Sequence, residues 1–508
     1  MPRFLSSMPN PDLLAHAHCG RLRLIAALFC TAALFVASLP AAEQSRPNVL
    51  FIAADDLRAD LGCYGSPEAL TPHLDALARR GVVFERAYCQ QAVCNPSRAS
   101  ILTGRRPDTL RVWDLRRHFR ETFPELVTLP QHFKANGYTT VGLGKLFHNQ
   151  SGAKPPFPFN DPPSWSEPPL FADGPHWADW VEEGGGAPKG KGGAVQRLDV
   201  SDEAYLDGRI AAAAVRRLGE LAREGRPFFL GVGFWKPHLP FNAPKRYWDL
   251  YERARLRAPL PPQMPAGAPA LAGHAWNELR GYAGMPKEGP LSPEQIAELR
   301  HGYLAGVSFL DAQVGKVLRE LGRLGLERNT LVVFWSDHGF HLGEHDLWGK
   351  TANYELDTRV PLIFAGPGVA AGGRATGLAE LLDVYPTLVE AGGLPSAAGT
   401  EGRSLLAQLR DPAAPGKRLA VSQHPRPAYG NSPSHMGYTF RSATHRYVEW
   451  RELAAGAIVA RELYDHRSDP AETVNRIDDP ALAAVAREFA TEAARIIATG
   501  GARPSPRP

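Results

Sequence analysis

The sequence predicts an α/β fold: a large mixed, mostly parallel sheet sandwiched by helices, followed by a smaller C-terminal subdomain of antiparallel sheet plus helix. Two observations lead there. Short continuous apolar runs, bounded by Pro, Gly or charge, alternate with helical periods up to about Arg410. That pattern suits strands buried on both faces and covered by helices. Beyond Arg410 the character changes to closely spaced short strand patterns with one terminal helix.

Arg46-Pro47-Asn48 opens into the run Val49-Leu50-Phe51-Ile52-Ala53-Ala54, read as a buried strand. Thr71-Pro72 reads as the N-cap and first turn of a helix through Arg80, which Gly81 ends. Further strands are expected at Tyr138–Val141, Phe228–Phe234, Leu331–Trp335 and Val360–Phe364, and helices from Pro293 to Leu324 and from Leu382 to Ala391. Gly184 to Gly193 is rich in Gly and Lys, and Ala258 to Pro290 in Pro, Ala and Gly. Both read as surface insertions, and long loops often border a substrate cleft. Leu419–Ser422, Tyr438–Arg441, Tyr447–Trp450 and Glu462–Asp465 are expected as antiparallel strands, with a helix from Pro480 to about Ala498. The expected division is a signal segment at 1–42, a main domain at 47–410, a C-terminal subdomain at 411–500 and a disordered tail at 501–508.

The chain has 508 residues and a net charge of +4. That balance argues against nucleic acid as a partner, where a clustered basic face is expected. Arg21 and Arg23 precede the apolar stretch Leu24 to Val36, and small residues follow from Ala37 to Ala42. This order reads as a secretory signal, too short in its apolar core for a comfortable membrane span. Export to the periplasm or medium is expected, with cleavage near Ala42 and no stable membrane insertion afterwards; an uncleaved N-terminal anchor is the alternative. Removing the leader removes Cys19 and Cys30 and leaves Cys63, Cys89 and Cys94, an odd number. Whether Cys63 and Cys89 pair is open at this level.

Asp55-Asp56 directly follows the first expected strand, and Asp337-His338 follows Leu331–Trp335 in the same way. In open α/β sheets, ligands bind beyond the carboxyl ends of the strands. Acidic pairs at two such ends can converge on one hard cation, Ca²⁺ or Mg²⁺. A single Asp at a strand end would be only a turn or cap residue. Cys94-Asn95-Pro96-Ser97-Arg98 places Arg98 one helical turn after Cys94, at a helix start that favours anions. Lys145 with His148, Lys236-Pro237-His238 and Lys350 lie after expected strands or on the Asp337 loop. Positioned cations of this kind stabilise charge that develops on a transferring anion.

The run Cys94-Asn95-Pro96-Ser97-Arg98, continuing Ala99-Ser100-Ile101-Leu102-Thr103-Gly104-Arg105, resembles the signature of the sulfatases, in which this Cys is oxidised to formylglycine. An aldehyde hydrate carries two hydroxyls on one carbon; one attacks sulfur and the other later expels the sulfate. The resemblance extends to the iduronate-2-sulfatase-like branch, within the alkaline-phosphatase-like superfamily. It runs through Asp55-Asp56-Leu57-Arg58, Gly104-Arg105-Arg106-Pro107-Asp108-Thr109, Gly144-Lys145-Leu146-Phe147-His148, Lys236-Pro237-His238, Ser336-Asp337-His338-Gly339 and Leu342-Gly343-Glu344-His345, and reaches Pro425-Arg426-Pro427 in the smaller domain.

The resemblance implies that Asp55, Asp56, Asp337 and His338 hold Ca²⁺, or Mg²⁺, with an oxygen of modified Cys94. It implies that Arg98 stabilises the hydrate, and that Lys145 and Lys350 grip the sulfate. His148 would act as base on the second hydroxyl, and His238 would contact the sulfate and protonate the leaving oxygen. The implied partners are a sulfated carbohydrate, with 2-O-sulfated uronic acid leading, and a formylglycine-generating maturation enzyme. Trp235, Phe340 and His341 depart from the human family member close to the site, and are expected to line the sugar pocket. Two other readings stand beside this one. The first is a phosphodiesterase or phosphonate monoester hydrolase of the same superfamily. The second is an inactive carbohydrate-binding homologue.

Overall fold

The computed structural model describes residues 46–148, 160–171, 180–181, 192–429 and 432–499. The expected signal segment, Cys19, Cys30, residues 184–191 and the 501–508 tail lie outside the described residues. From Pro47 onward the chain forms one compact unit.

The core is a seven-stranded sheet. Its strands are β1 (Asn48–Asp55), β2 (Gly81–Phe84), β3 (Thr139–Gly144), β4 (Phe228–Pro237), β5 (Thr330–Ser336), β6 (Leu362–Ala365) and β7 (Gly373–Ala375). They lie in the order β7-β2-β6-β5-β1-β4-β3. Neighbours β5, β1, β4 and β3 are all parallel. Strand β6 runs against both β5 and β2, and is the reversed strand of a mostly parallel sheet.

Strand β1 shows why both faces are covered. Leu50, Ile52 and Ala54 belong to one apolar cluster and Val49, Phe51 and Ala53 to another, as a period of two requires. Helices α1 (Pro72–Arg79), α3 (Leu206–Glu224) and α4 (Pro293–Arg323) supply Leu74, Leu77, Ile210, Leu218, Val314 and Val317 to the first cluster. Helices α2 (Cys94–Thr103) and α5 (Val384–Ala391) supply Ile101, Leu102, Val384 and Leu388 to the second. Helix α4 starts in a capping box: Ser292 Oγ accepts from Gln295 N at 3.2 Å, and Gln295 Oε1 accepts from Ser292 N at 3.0 Å.

Two local expectations need correction, and the open question of Cys63 and Cys89 is answered. The run Val360–Phe364 is not one strand. Arg359–Val360 pairs with Ala87–Tyr88, whereas Leu362–Ala365 joins the central sheet, and Pro361 between them has no N–H to continue a ladder. Thr71 does not cap α1. Its hydroxyl donates to Asp75 Oδ1 at 3.1 Å and accepts from Gly62 N at 3.0 Å. The free N–H groups of the first turn go instead to Asp311 of α4, at 3.1 Å from His73 N and 2.8 Å from Leu74 N. Cys63 and Cys89 do not pair; both are free thiols, as is Cys94. Helix α3 buries Gly208, Ala211, Ala213 and Ala214 beside the larger Ile210, Leu218 and Leu221.

The C-terminal part is a four-stranded antiparallel sheet in sequential order: β8 (Ala420–Arg426), β9 (His435–Arg441), β10 (His445–Glu452) and β11 (Ile458–Asp465). Helix α6 (Ala483–Thr499) packs Phe489 and Ala493 against Met436, Tyr447 and Leu463. Gln423 N donates to Gln90 O at 2.8 Å, which ties this sheet to the segment just before Cys94.

Candidate active site

Because β5, β1, β4 and β3 are parallel neighbours, their carboxyl ends lie on one side of the sheet, and the residues after them converge. Asp55 and Asp56 leave β1, Asp337 and His338 leave β5, Lys145 leaves β3, and His238 leaves β4. Gly233 of β4 makes the approach of Lys145 possible. A Cβ at Gly233 would stand 2.1 Å from Lys145 O. Helix α2 begins at Cys94 after the extended Val93 and is buried along its whole length, so its N-terminus points into this cluster.

Cys94 Sγ lies 3.5 Å from Asp55 Oδ1, 3.4 Å from His338 Nε2 and 3.6 Å from Lys145 Nζ. Lys145 Nζ also pairs with Asp55. Lys350 Nζ donates to Asp56 Oδ1 at 2.9 Å and Oδ2 at 3.0 Å, and lies 2.9 Å from His238 Nε2. Every one of these residues is buried. His148 is buried at the same end of the sheet, where Lys145, Asp55, Arg98 and Lys350 all act on it electrostatically.

Burial would raise Asp55, but Lys145, His238, Arg98 and Lys350 outweigh it and hold this carboxyl well below its usual range. Asp56 goes the other way: burial and the neighbouring Asp55, Glu278 and Asp337 push it well above, against the pull of Lys350. Burial, then Asp55, pushes the Cys94 thiol well up, so the sulfur stays protonated and is a poor nucleophile as a thiol. Burial and Lys145 hold His148 well below the ordinary imidazole value, which leaves it neutral and able to accept a proton.

The donor set could hold a metal ion. Asp55, Cys94, Asp337 and His338 each present a ligand atom, all within 4.8 Å of one another. Asp56 Oδ1 is 3.4 Å from His338 Nε2. His338 Nδ1 lies 2.9 Å from Gly339 O, which places its hydrogen there and turns the Nε2 lone pair toward the carboxylates. Burial keeps this imidazole neutral.

Arg98 braces the strand ends. Its Nε donates to Asp337 Oδ2 at 2.8 Å, and its other nitrogens donate to the carbonyls of Ala54, Lys145 and Leu146. Trp235 lies beneath the site, with its ring centroid 5.7 Å from Lys145 Nζ. Phe340 and His341 sit in the core instead of facing a sugar pocket. Phe340 stacks on Tyr303 at 5.9 Å, and Tyr303 Oη in turn donates to Asp56 O at 2.8 Å. His341 Nδ1 is 3.1 Å from Asp357 Oδ2, and its Nε2 is 3.1 Å from His345 Nδ1.

Two site residues escape a reading of the sequence. Glu278 reaches the site from the irregular Ala258–Pro290 segment, with Oε2 at 3.1 Å from Lys350 Nζ and Oε1 at 3.2 Å from His238 Nε2. Tyr429 arrives from just beyond β8; burial raises its phenol, as does Glu278, while Lys350 opposes, so it belongs to the same electrostatic cluster. Neither lies at a strand end of the central sheet, and the only signal for Glu278 is the length of its loop.

Comparison with known proteins agrees with this geometry. The sulfatase family model matches residues 47–394, and the model for the C-terminal region of N-sulphoglucosamine sulphohydrolase matches residues 343–498. Iduronate 2-sulfatase of Homo sapiens is 35% identical, over 85% of this chain and 91% of its own length. A sulfatase of Formosa agariphila is 31% identical over 86% and 84%. Among solved structures, the phosphonate monoester hydrolase of Agrobacterium radiobacter superposes with a TM-score of 0.73 at 23% identity, covering 90% of this chain and 96% of that one. A protein solved in complex with D-glucosamine-2-N,6-O-disulfate does so with a TM-score of 0.71 at 22% identity, over 89% and 97%. These two likenesses concern the fold. The family model that spans the central sheet and every strand end around Cys94, together with relatives above 30% identity over most of their length, shows that this chain belongs to the sulfatase family.

Proposed function

We propose that the protein removes sulfate from a terminal sugar of a sulfated glycan, with 2-O-sulfated uronic acid as the favoured substrate. The observation that carries this reading is the placement of Cys94 between the Asp55–Asp337–His338 cluster and Lys145. The uronate preference is supported by the 35% identity to iduronate 2-sulfatase. The preference for a chain end is supported by the Ala258–Pro290 segment, which closes over the site far enough to put Glu278 on Lys350. Residues 47–410 would form the catalytic domain and 411–500 the C-terminal subdomain, in a protein exported after loss of its leader. No described helix is long and apolar enough to cross a membrane.

Conversion of Cys94 to formylglycine, by a maturation enzyme, would supply the paired hydroxyls that a buried, protonated thiol lacks. Asp55, Asp56, Asp337 and His338 would hold Ca²⁺, with Mg²⁺ as the alternative, and the ion would supply positive charge beside the sulfate. Lys145 lies 3.6 Å from Cys94 Sγ, Lys350 interacts with it electrostatically, and both grip the sulfate oxygens. Arg98 holds Asp337 and the Lys145 backbone in register. His148, kept neutral by burial, takes the proton from the hydroxyl whose oxygen closes the cycle. His238 and Lys350 share a hydrogen bond at the far side and give a proton to the departing sugar oxygen.

The deciding experiment measures initial rates of sulfate release from terminal 2-O-sulfated uronate disaccharides and from sulfated galactose, fucose and glucosamine, with matched phosphate and phosphonate esters alongside. Fastest turnover of the uronate is expected. A neutral or amino sugar cleaved about tenfold faster, equivalent to about 1.4 kcal/mol of transition-state preference, overturns the uronate assignment. Faster phosphate or phosphonate release overturns the sulfate-ester assignment itself.

A further inference from the structure

Glu278 stands immediately before the short turn Leu279–Gly281, inside a segment otherwise without strand or long helix. Its surroundings are nevertheless built. Trp276 Nε1 donates to Asp346 O at 2.8 Å, and the Arg280 guanidinium lies 4.1 Å over the Trp276 ring. Leu279 and Tyr282 are buried. Ala283 N donates to Gly192 O at 3.0 Å, which ties the segment to the other insertion. The carboxylate is thus delivered by a fixed turn. Its two oxygens take different partners, Oε2 lying 3.1 Å from Lys350 Nζ and Oε1 3.2 Å from His238 Nε2. Lys350 Nζ and His238 Nε2 are themselves 2.9 Å apart. Three side chains from three separate segments therefore close a triangle. His238 Nδ1 is anchored 2.7 Å from Leu239 O, so the ring cannot turn without losing that contact.

We propose that Glu278 is a positioning residue for the leaving group, holding Lys350 Nζ and His238 Nε2 together so that the proton between them reaches the departing sugar oxygen. The inference rests on the sulfatase reading above. In the step concerned, an oxygen of the proposed residue-94 hydrate, giving up its proton to solvent, bonds to sulfur while the bond from sulfur to the sugar oxygen breaks, and that bond's electron pair stays on the sugar oxygen. The oxygen takes the shared proton, and the Lys350–His238 pair is left one proton short until solvent restores it. The arrangement follows the logic of a base oriented by a third group. A proton donor matters most where the leaving oxygen is strongly basic, as in a sugar, and least for an acidic phenol.

The test compares kcat/KM of the wild type, Glu278→Gln and Glu278→Asp across a series of sulfate esters ranked by leaving-group pKa, from nitrophenol to sugar. In Glu278→Gln the sugar-to-nitrophenol ratio is expected to fall by about tenfold or more, because general-acid help is worth that much only to the poor leaving group. Glu278→Asp keeps the charge and is expected to restore part of the ratio; it also decides the matter if the Gln variant does not fold. A loss equal across the series, or a sugar rate unchanged in the Gln variant, overturns the proposal and leaves the sulfatase reading intact. A wild type that releases sulfate from no ester in the series overturns both.

Discussion

Cys94 is held as a neutral thiol by burial and by Asp55, in a site whose cations and carboxylates are arranged around it. A reactive cysteine needs the opposite, a depressed pKa in a partly exposed position. The residue therefore makes chemical sense as a precursor. In a host with the maturation enzyme, mass spectrometry of the tryptic peptide ending at Arg98 should show the thiol replaced by an aldehyde. Active protein with an intact thiol would refute this. His148 gives a second expectation. Its neutrality comes from burial and Lys145, so its ability to accept a proton persists well below the ordinary imidazole pKa of about 6.5. His148→Gln should lower kcat by about a hundredfold, as loss of a general base does, with a smaller change in KM. A KM effect alone would assign His148 to binding.

The elements act by bringing strand ends to one rim. The register of β1 with β4 and β5 sets Asp55, Asp337 and His238 at comparable heights. The contact between Gly233 and the Lys145 carbonyl lets β3 and its Lys145 come close enough to reach Cys94. Gly233→Ala would force a Cβ into that carbonyl. The strand would have to move, at a cost of about 1–3 kcal/mol in stability. Lys145 would be displaced with it, so sulfate release should fall more than thermal stability does. A variant with a lowered melting midpoint but wild-type kcat/KM would show that Lys145 tolerates the shift. Helix α1 illustrates the same dependence of elements on their neighbours: Asp311, on α4, supplies the cap that Thr71 does not.

At the scale of the whole molecule, the site is a concentrated set of buried charges. Asp56 is pushed up by burial and by Asp55, Glu278 and Asp337, a repulsion that a bound cation relieves. Exhaustive chelation should abolish sulfate release. Adding back Ca²⁺ should raise the melting midpoint as well as activity, because a ligand of the folded state alone stabilises it. Full activity and an unmoved midpoint after chelation would exclude the metal. Buried histidines elsewhere predict acid sensitivity. Burial depresses His118 to about 4 and His274 to about 3, and His424 is also well below its usual value. The unfolded chain binds a proton at each near pH 6.5, where the fold refuses it, so stability falls as pH drops from about 6.5 toward 4. Asp311, pushed up to about 7 by burial, works in the opposite sense, as do the raised carboxyls of Asp383 and Glu462, while the lowered His345 adds to the histidine effect. Calorimetry should give a lower melting midpoint at about pH 5 than at about pH 7.5, and an unchanged or higher one would contradict the assignment.

Much of the fold and the site is legible in the chain itself. The apolar runs that form β1, β3, β4 and β5 read directly as buried strands, because strands covered on both faces must be apolar throughout. The acidic pairs after β1 and β5, the Cys94 run and the basic side chains Lys145, His238 and Lys350 are visible for a related reason. Parallel strands carry the residues after their carboxyl ends to one rim, and each of those short segments is local in sequence. Other features depend on packing between distant segments. Pro361 splits an apolar run between two sheets, and nothing in the run says which partner each half takes. Phe340 and His341 come soon after Asp337-His338, yet Tyr303 and Asp357 draw both into the core. Glu278 lies in a segment without periodicity, and only the turn anchored by Trp276 and Arg280 carries it to Lys350 and His238. Periodicity and motif spacing record which residues are buried and which carry chemistry along one stretch of chain. Which long loop closes over the site is decided by contacts between residues far apart in sequence, and those leave no local pattern.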